Sequence, residues 1–384
     1  MISIVGAGPS GNYLAYLLSS EGFKVNVFEE HSVVGKPVNC AGIVSNEFSR
    51  FLKLFDNSDF IINEVKDVKL FVPSGESVFL KLRKNFVLDR ALFDKELYKL
   101  AKSSGANFHL KHRLVSLDVK TLKLIFSNKK SFKTEFLVGA DGPFSIVAKS
   151  IGSYKRRFFY TLQSSVRIKN DNLVLFGLFK RGFWWLVPEN RNSARVGVAC
   201  ENPIFIKKLF LRLIRSFGLK QANIKAKGGV IPIFNPFVKK SISKVFLLGD
   251  AATQVKATTG GGVIPGMKAA EALSKSFNNN IKVNYSRNLM SLNIELTTTL
   301  FVRWILDRMS SSDYDFLLRT VNNKSLRKVF YSVSRDSNLR LSLRLLYSNP
   351  RLLFFVKNIF LDFPILSDKN PDFSINNLIN NLNS

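Results

Sequence analysis

The chain has 384 residues, 46% hydrophobic and 22% charged, which suffices for two or three domains with a full core and excludes a disordered polymer. Two cysteines and three histidines exclude a disulfide framework and a four-ligand zinc site, leaving a weak metal-like spacing at His109 and His112. Lys and Arg total 57 against 28 acidic residues, a formal net charge of +29, and no stretch approaches the ~18 uninterrupted apolar residues of a membrane span.

Residues 2–5 read as a short buried strand. Gly6-Ala-Gly-Pro-Ser-Gly11 follows, then a helix over residues 12–20 stopped by Gly22, then a second strand over 23–28 ending in Glu29 and Glu30. This is a βαβ beginning. Gly6 permits the tight turn out of the strand, Gly8 lets the backbone approach a pyrophosphate, and Gly11 lets the helix pack closely on the strand. The helix start offers unpaired N–H groups and a positive dipole end to phosphates. Glu29, eighteen residues past Gly11, stands where a carboxylate accepts hydrogen bonds from ribose hydroxyls. The order predicts a dinucleotide site for FAD or NAD rather than NADP. With this pattern in the first residues no signal peptide is expected, and the expectation is a soluble, cytoplasmic protein.

Residues 31–50 form a loop with Gly, Pro and Cys. Residues 65–82 alternate around Pro73-Ser-Gly75 and read as a hairpin. Residues 89–102 are helical, with Leu92, Phe93, Leu97 and Leu100 on one face and Gly105 closing the end. Strand-like runs lead to Phe136-Leu-Val-Gly-Ala-Asp-Gly142, and residues 158–200, rich in β-branched and aromatic side chains, predict a sheet in which Cys200 is a core residue. Residues 204–217 form an amphipathic helix with Lys207, Lys208, Arg212 and Arg215 beside Phe205, Leu209, Leu213 and Phe217. It can lie at a membrane interface or pack on the sheet with a solvated basic side. Val245-Phe-Leu-Leu-Gly-Asp-Ala-Ala252 is strand then turn, Gly260-Gly-Gly262 precedes a helix to about Ser276, and helices dominate after Tyr285. The Asn-rich tail from Asn376 is expected to fray. No internal repeat is present.

The charge is uneven. Residues 202–249 hold ten basic residues and no acidic one, and residues 301–360 hold eleven basic and four acidic. Such fields attract nucleic acid or an anionic membrane surface. The abundance of Phe, Lys and Asn also fits an AT-rich genome, although composition alone does not empty one segment of acids. No nucleic-acid recognition motif accompanies the charge, so nucleic acid is not expected as a partner.

Asp250 falls at the tip of the predicted strand, where a carboxylate can bind a ribityl hydroxyl. The helix starting near Gly262 can point its N-terminus at a flavin pyrimidine edge. An NAD dehydrogenase needs no such second element, so the pair favours FAD. Gly249-Asp-Ala-Ala-Thr-Gln-Val-Lys-Ala-Thr-Thr-Gly-Gly-Gly-Val263 resembles the signature of the geranylgeranyl reductases, FAD enzymes of the para-hydroxybenzoate hydroxylase fold superfamily. Lys36-Pro-Val-Asn-Cys-Ala-Gly42 is similar to the family's Pro-Val-x-Cys loop near the flavin. Leu88-Asp-Arg-Ala-Leu-Phe-Asp94 is similar to its arginine-bearing segment, and Gly182-Phe-Trp-Trp-Leu-Val-Pro188 to its Tyr-x-Trp-x-Phe-Pro motif. The resemblance covers roughly residues 1–290. Phe183 stands where that motif has Tyr and Val187 where it has Phe. In the Asp141-Gly142 to Ser145 motif the usual arginine position is Ala148.

The resemblance implies an α/β fold: a Rossmann-like FAD-binding domain (residues 1–60, 86–152 and 242–285), an inserted antiparallel β-sheet substrate domain (61–85 and 153–241) and a C-terminal helical region (286–384). Ser10, Glu29, Cys40, Ala41, Gly42, Arg90, Val115, Asp250, Gly262 and Val263 would line FAD with Gly6, Gly8 and Gly11, Val115 through its backbone. Arg90 also suits two phosphates as a cation, or is a surface arginine beside a helix. Phe183, Trp184, Trp185 and Pro188 would line the substrate, or form ordinary sheet core. Cys40 relays a proton or shapes the pocket. The implied reaction saturates isolated C=C bonds of a geranylgeranyl chain, as in archaeal diether lipids, by hydride from flavin N5 plus a proton, in a dry cavity. Geranylgeranyl-chlorophyll or diphosphate reduction, or an FAD monooxygenase or halogenase reaction, is the alternative. The implied partners are a prenylated lipid, an external electron donor (a ferredoxin, NADPH or another carrier) and an anionic membrane surface at the inner face of the cell membrane.

Overall fold

The computed structural model describes residues 1–153, 156–220, 224–277, 281–334, 336–350, 352, 353 and 355; the tail from Asn376 lies outside them. In chain order the elements are β1 (Ile2–Val5), α1 (Pro9–Ser20), β2 (Val25–Phe28), β3 (Ile43–Val44), α2 (Ser49–Leu52), β4 (Ile61–Phe71), β5 (Ser77–Leu88), α3 (Arg90–Ser103), β6 (Asn107–His109), β7 (Leu114–Asp118), β8 (Lys123–Phe126), β9 (Ser131–Lys133), β10 (Phe136–Gly139) and α4 (Ile146–Ser150). They continue as β11 (Phe158–Arg167), β12 (Val174–Phe179), β13 (Gly182–Asn190), β14 (Ser193–Cys200), α5 (Pro203–Ser216), β15 (Lys227–Pro232), β16 (Ser241–Ile242), β17 (Val245–Leu247), α6 (Val263–Phe277), α7 (Ile281–Asn288), α8 (Met290–Leu306), α9 (Ser311–Val321), α10 (Lys324–Ser332) and α11 (Asn338–Ser348).

The short apolar strands β1, β2 and β10 are almost wholly buried, as strands covered on both faces must be. They form the centre of a six-stranded sheet, β16-β17-β10-β1-β2-β6, in which β1 pairs in parallel with both β2 and β10. Leu14 and Leu18 of α1, Phe93 and Leu97 of α3 and Met267 and Leu273 of α6 share one core with β1. The meander β7-β8-β9 covers the opposite face, joining Leu124 and Phe126 to Val5, Phe28 and Leu247. His109 and His112 belong to this packing, their rings 4.7 and 6.1 Å from that of Phe28.

The second sheet has eight strands, β15-β11-β14-β13-β12-β4-β5-β3. The predicted hairpin is β4–β5, and the 158–200 region supplies β11 to β14. Three details depart from the sequence reading. Strands β12 and β4 pair in parallel, so the sheet is mixed. The expected boundaries at 85/86 and 241/242 fall inside β5 and β16, because strand pairing runs through both. Strand β3, from the first segment, joins this sheet through β5. Helix α5 packs on one face with Leu209, Phe210, Leu213 and Ile214 buried, so most of its apolar side is spent inside the fold, Ile204 in its first turn staying exposed.

Helices α8 and α9 cover the other face, placing Leu306, Met309, Tyr314 and Leu318 against Val65, Phe159 and Val187. One side chain pins them. Arg303 of α8 is 2% exposed; it donates to Gly182 O (3.2 Å) and Phe179 O (3.1 Å) at the β12–β13 turn and pairs with Asp307. Removing one member of a buried ion pair strands the other. Arg303→Ala is therefore expected to lower unfolding stability by about 3–5 kcal/mol in urea titration, with Asp307→Asn in the same chain recovering part of the loss.

Candidate active site

The turn after β1 is built by close approach. Gly6 has φ +102, and a Cβ there would lie 2.3 Å from Ala140 O. Helix α1 then starts at Pro9 with Gly8 as its N-cap and no side chain closing the first-turn N–H groups. Gly8, Pro9 and Ser10 border a large cavity, and a Cβ on Gly8 would meet no protein atom within 4 Å. The space before Gly8 is therefore open, and a helix dipole faces it. Glu29, at the end of β2, is buried; it accepts from Ala7 N at 2.8 Å and from His31 N and Nδ1 at 3.0 and 2.6 Å. Val115 sits at the bulge of β7, with no register partner in β8 and an exposed side chain.

The Gly-Asp-Ala-Ala turn meets this loop directly. After β17, a 3-10 turn runs Gly249–Ala252, and α6 begins at Val263. A Cβ on Gly249 would lie 2.8 Å from Ser10 Oγ, and one on Gly266 would lie 2.1 Å from it. Bare backbone is thus what lets the turn and α6 close on the phosphate loop. Asp250 projects into the cavity, and a Cβ on Gly262 would come within 3.2 Å of its Oδ1. Burial pushes its carboxyl up from the ordinary 3.8 to about 6, against the pull of Arg90 and Arg156.

The cysteine loop closes a third side. Cys40, Ala41 and Gly42 line the cavity, and Gly42 N donates to Cys40 Sγ at 3.3 Å. Arg90, the first residue of α3 after the N-cap Asp89, lines it too. Its guanidinium is held at 3.0 Å by both oxygens of Asp94 and lies beside the Cys40 thiol. The arginine is therefore an internal cation, braced by the carboxylate one helical turn further on. Cys200 is buried and its thiol is pushed up to about 12 by burial, which makes it inert core.

Beyond these loops the cavity, about 1110 Å³ in all, continues as an apolar arm between the sheet and the C-terminal helices. Val68, Leu70, Leu80, Leu82, Val174, Phe176, Phe183, Trp185 and Val187 line it, as do Phe330 and Leu341 from the C-terminal helices. Strand period assigns the aromatics: Phe183, Trp185 and Val187 face the arm, whereas Trp184 points through the sheet onto Phe71 and Phe217. Trp184 is thus core, and Pro188 lies outside the cavity lining, its carbonyl accepting from Asn63 Nδ2 at 3.0 Å. Two buried polar atoms of lining residues, Trp185 Nε1 and Gln163 Oε1, have no partner among the described residues.

Three supporting residues carry no local sequence signal. Arg195 of β14 donates through Nη1 to Ala41 O and Leu88 O, both at 2.9 Å, and pairs with Glu189 at 2.8 Å, tying the large sheet to the cysteine loop. Arg156 donates to Ser153 O, Pro143 O and Ala251 O at 3.0, 3.1 and 2.5 Å, clamping the Asp-Gly loop to the Gly-Asp-Ala-Ala turn while Ala148 is plain core. Lys256, on the cavity wall, pairs with buried Asp336, which also accepts from Ser45 Oγ. Among the described residues no group of three or more His, Cys, Asp and Glu is placed to hold a metal ion.

Residues 4–49 match the family model described as an NAD(P)-binding Rossmann-like domain. Over 364 residues the chain is 25% identical to digeranylgeranylglycerophospholipid reductase 1 of Methanococcoides burtonii, covering 85% of this chain and 88% of that one. Over 357 residues it is 28% identical to digeranylgeranylglycerophospholipid reductase of Methanocaldococcus jannaschii, covering 82% and 89%. The fold superposes on a geranylgeranyl bacteriochlorophyll reductase-like protein from Thermoplasma acidophilum with TM-score 0.80 at 21% identity, covering 93% of this chain and 98% of that one.

Asp250 yields a pH test. A carboxyl raised in the fold contributes stability that is full below its ordinary value and is lost as pH rises through about 6. The melting temperature of ligand-free protein is expected to fall by several degrees relative to Asp250→Asn between about pH 4 and pH 7. Parallel curves for the two proteins in differential scanning fluorimetry would refute that assignment.

Proposed function

Since this chain belongs to the geranylgeranyl reductase family, we propose that it is an FAD-dependent reductase that saturates C=C bonds of geranylgeranyl chains in archaeal-type diether phospholipids. The observation that carries this reading is one cavity lined both by the open N-terminus of α1 with the Asp250 carboxylate and by the largely apolar face of the large sheet. A prenyl chain offers no hydrogen bonds, so its recognition falls to shape and burial, at about 25 cal/mol per Å² of apolar surface removed from water.

The residues present fit FAD. The open N-terminus of α1, Gly8 and Ser10 suit the pyrophosphate, Glu29 the ribose, and Asp250 the ribityl hydroxyls. When bound, FAD supplies the hydride. The chain's own residues do the rest. Phe183, Trp185 and Phe176 exclude water from the alkene and turn aromatic faces toward any cationic character on it. Cys40 Sγ stands on the cavity wall as the proton donor, with the Arg90 guanidinium beside it. An external reduced carrier, a ferredoxin or NADPH, restores the cofactor. Contact with an anionic membrane surface belongs to this reading and draws support from the net charge of +29.

Purified protein is expected to be yellow. After anaerobic photoreduction, a digeranylgeranyl diether lipid should return the oxidised spectrum and yield a saturated product by mass spectrometry. Reoxidation by oxygen alone, with the lipid unchanged, would move the assignment to a monooxygenase or halogenase. Cys40→Ala is expected to retain the yellow colour and lower turnover more than about tenfold; undiminished turnover would remove the thiol from the reaction.

A further inference from the structure

We propose that α11 is the element on which the protein seats on an anionic phospholipid bilayer, so that lipid chains reach the cavity past this helix. The choice of a lipid surface rests on the reductase reading above; the choice of helix rests on the fold.

Three basic amphipathic helices compete for the role. Helix α10 buries Leu326 and Val329, and α5 buries Leu209, Phe210, Leu213 and Ile214 against the sheet while Ile204 at its start stays exposed. Helix α11 does the opposite. None of its eleven residues is buried, although Leu341 and Leu345 are partly covered where the helix rests on α8 and α10. Leu339, Leu343 and Tyr347, spaced four apart, form an outward stripe that is 39%, 58% and 90% exposed. Arg340 and Arg344 are exposed beside it. From residue 337 to residue 361 the sequence contains four basic residues and no acid. A leucine and tyrosine stripe flanked by arginines suits the boundary between headgroups and acyl chains, and each cation near an anionic leaflet adds about 1 kcal/mol of attraction.

The helix is also joined to the site. Leu341 and Asn338 line the reaction cavity. At its N-terminal end Leu339 N donates to Glu295 Oε2 at 3.0 Å, and Asp336, two residues before the helix, is the buried partner of Lys256 on the cavity wall. The base of α11 is thus fastened to the cavity wall, while no described residue covers its outer stripe. Seating that stripe on a bilayer brings the part of the cavity lined by Asn338 and Leu341 next to the region where prenyl chains reside.

The test uses FAD-loaded, full-length protein in co-sedimentation with vesicles of phosphatidylglycerol and phosphatidylcholine, against phosphatidylcholine alone, at low and high salt. Wild type is expected to bind the anionic vesicles in a salt-sensitive manner. Leu343→Ser with Tyr347→Ser, and separately Arg340→Glu with Arg344→Glu, should each lower the partition coefficient at least about tenfold while flavin absorbance stays unchanged. The charge-matched pair Lys207→Glu with Lys208→Glu on α5 should lower it far less. Equal loss from the α5 pair, wild-type binding by the Leu343/Tyr347 variant, or a dimer that these changes dissolve would each overturn the inference. Turnover on detergent-dispersed lipid is read alongside. Its absence in wild type would count against the reductase reading and leave the binding result standing.

Discussion

Everything at this site depends on one close approach: Ser10 Oγ occupies the space that a side chain on Gly249 or Gly266 would need. That contact brings the start of α1, the Gly-Asp-Ala-Ala turn and the start of α6 to one point, although more than two hundred residues of chain separate the first from the others. Backbone can approach backbone in this way only where Cβ atoms are missing. Two helix N-termini and a carboxylate thereby face a single cavity. An isolated helix start is a general anion site; converging with Asp250 it fits a molecule that carries phosphates and a polyol chain together.

The electrostatics follow from enclosure. Asp94, Asp141 and Asp250 are all buried deeply enough to raise their carboxyl pKa values, and each is opposed by its own local partners: Arg90 for Asp94, Ser145 with the first amides of α4 for Asp141, and the more distant Arg90 and Arg156 for Asp250. Asp250 has the least direct of these arrangements, and it is the one that faces the cavity. A desolvated carboxylate that faces a cavity gains from a ligand hydroxyl that donates to it. The same reasoning covers Trp185 Nε1 and Gln163 Oε1, which stand unpaired on an otherwise apolar wall.

Much of this was legible in the sequence because it is local. The glycine loop, Glu29, the β4–β5 hairpin, the Asp89 cap of α3 and the turn at Asp250 all announce themselves within a few residues. For Trp184 the sequence reading leaves substrate lining and sheet core open, and strict alternation along residues 183–187 carries the information that separates it from Trp185. The Arg90–Asp94 spacing was equally readable. Arg156, Arg195 and Arg303 were not, because their partners are main-chain carbonyls of remote segments, which leave no pattern in side-chain order. The basic helices illustrate the same limit: the pattern over residues 204–217 marks α5 as amphipathic, and only tertiary packing shows that its apolar face is largely occupied while that of α11 is not.

Arg195 also bears on how such proteins can be recombined. Its guanidinium holds the carbonyls of Ala41, in the cysteine loop, and of Leu88, at the end of β5, so β14 is tied to that loop by a side chain in addition to the β3–β5 pairing. A chimera that grafts a different sheet onto this nucleotide-binding core would inherit a slack cysteine loop unless the graft brings its own fork-shaped donor at that register.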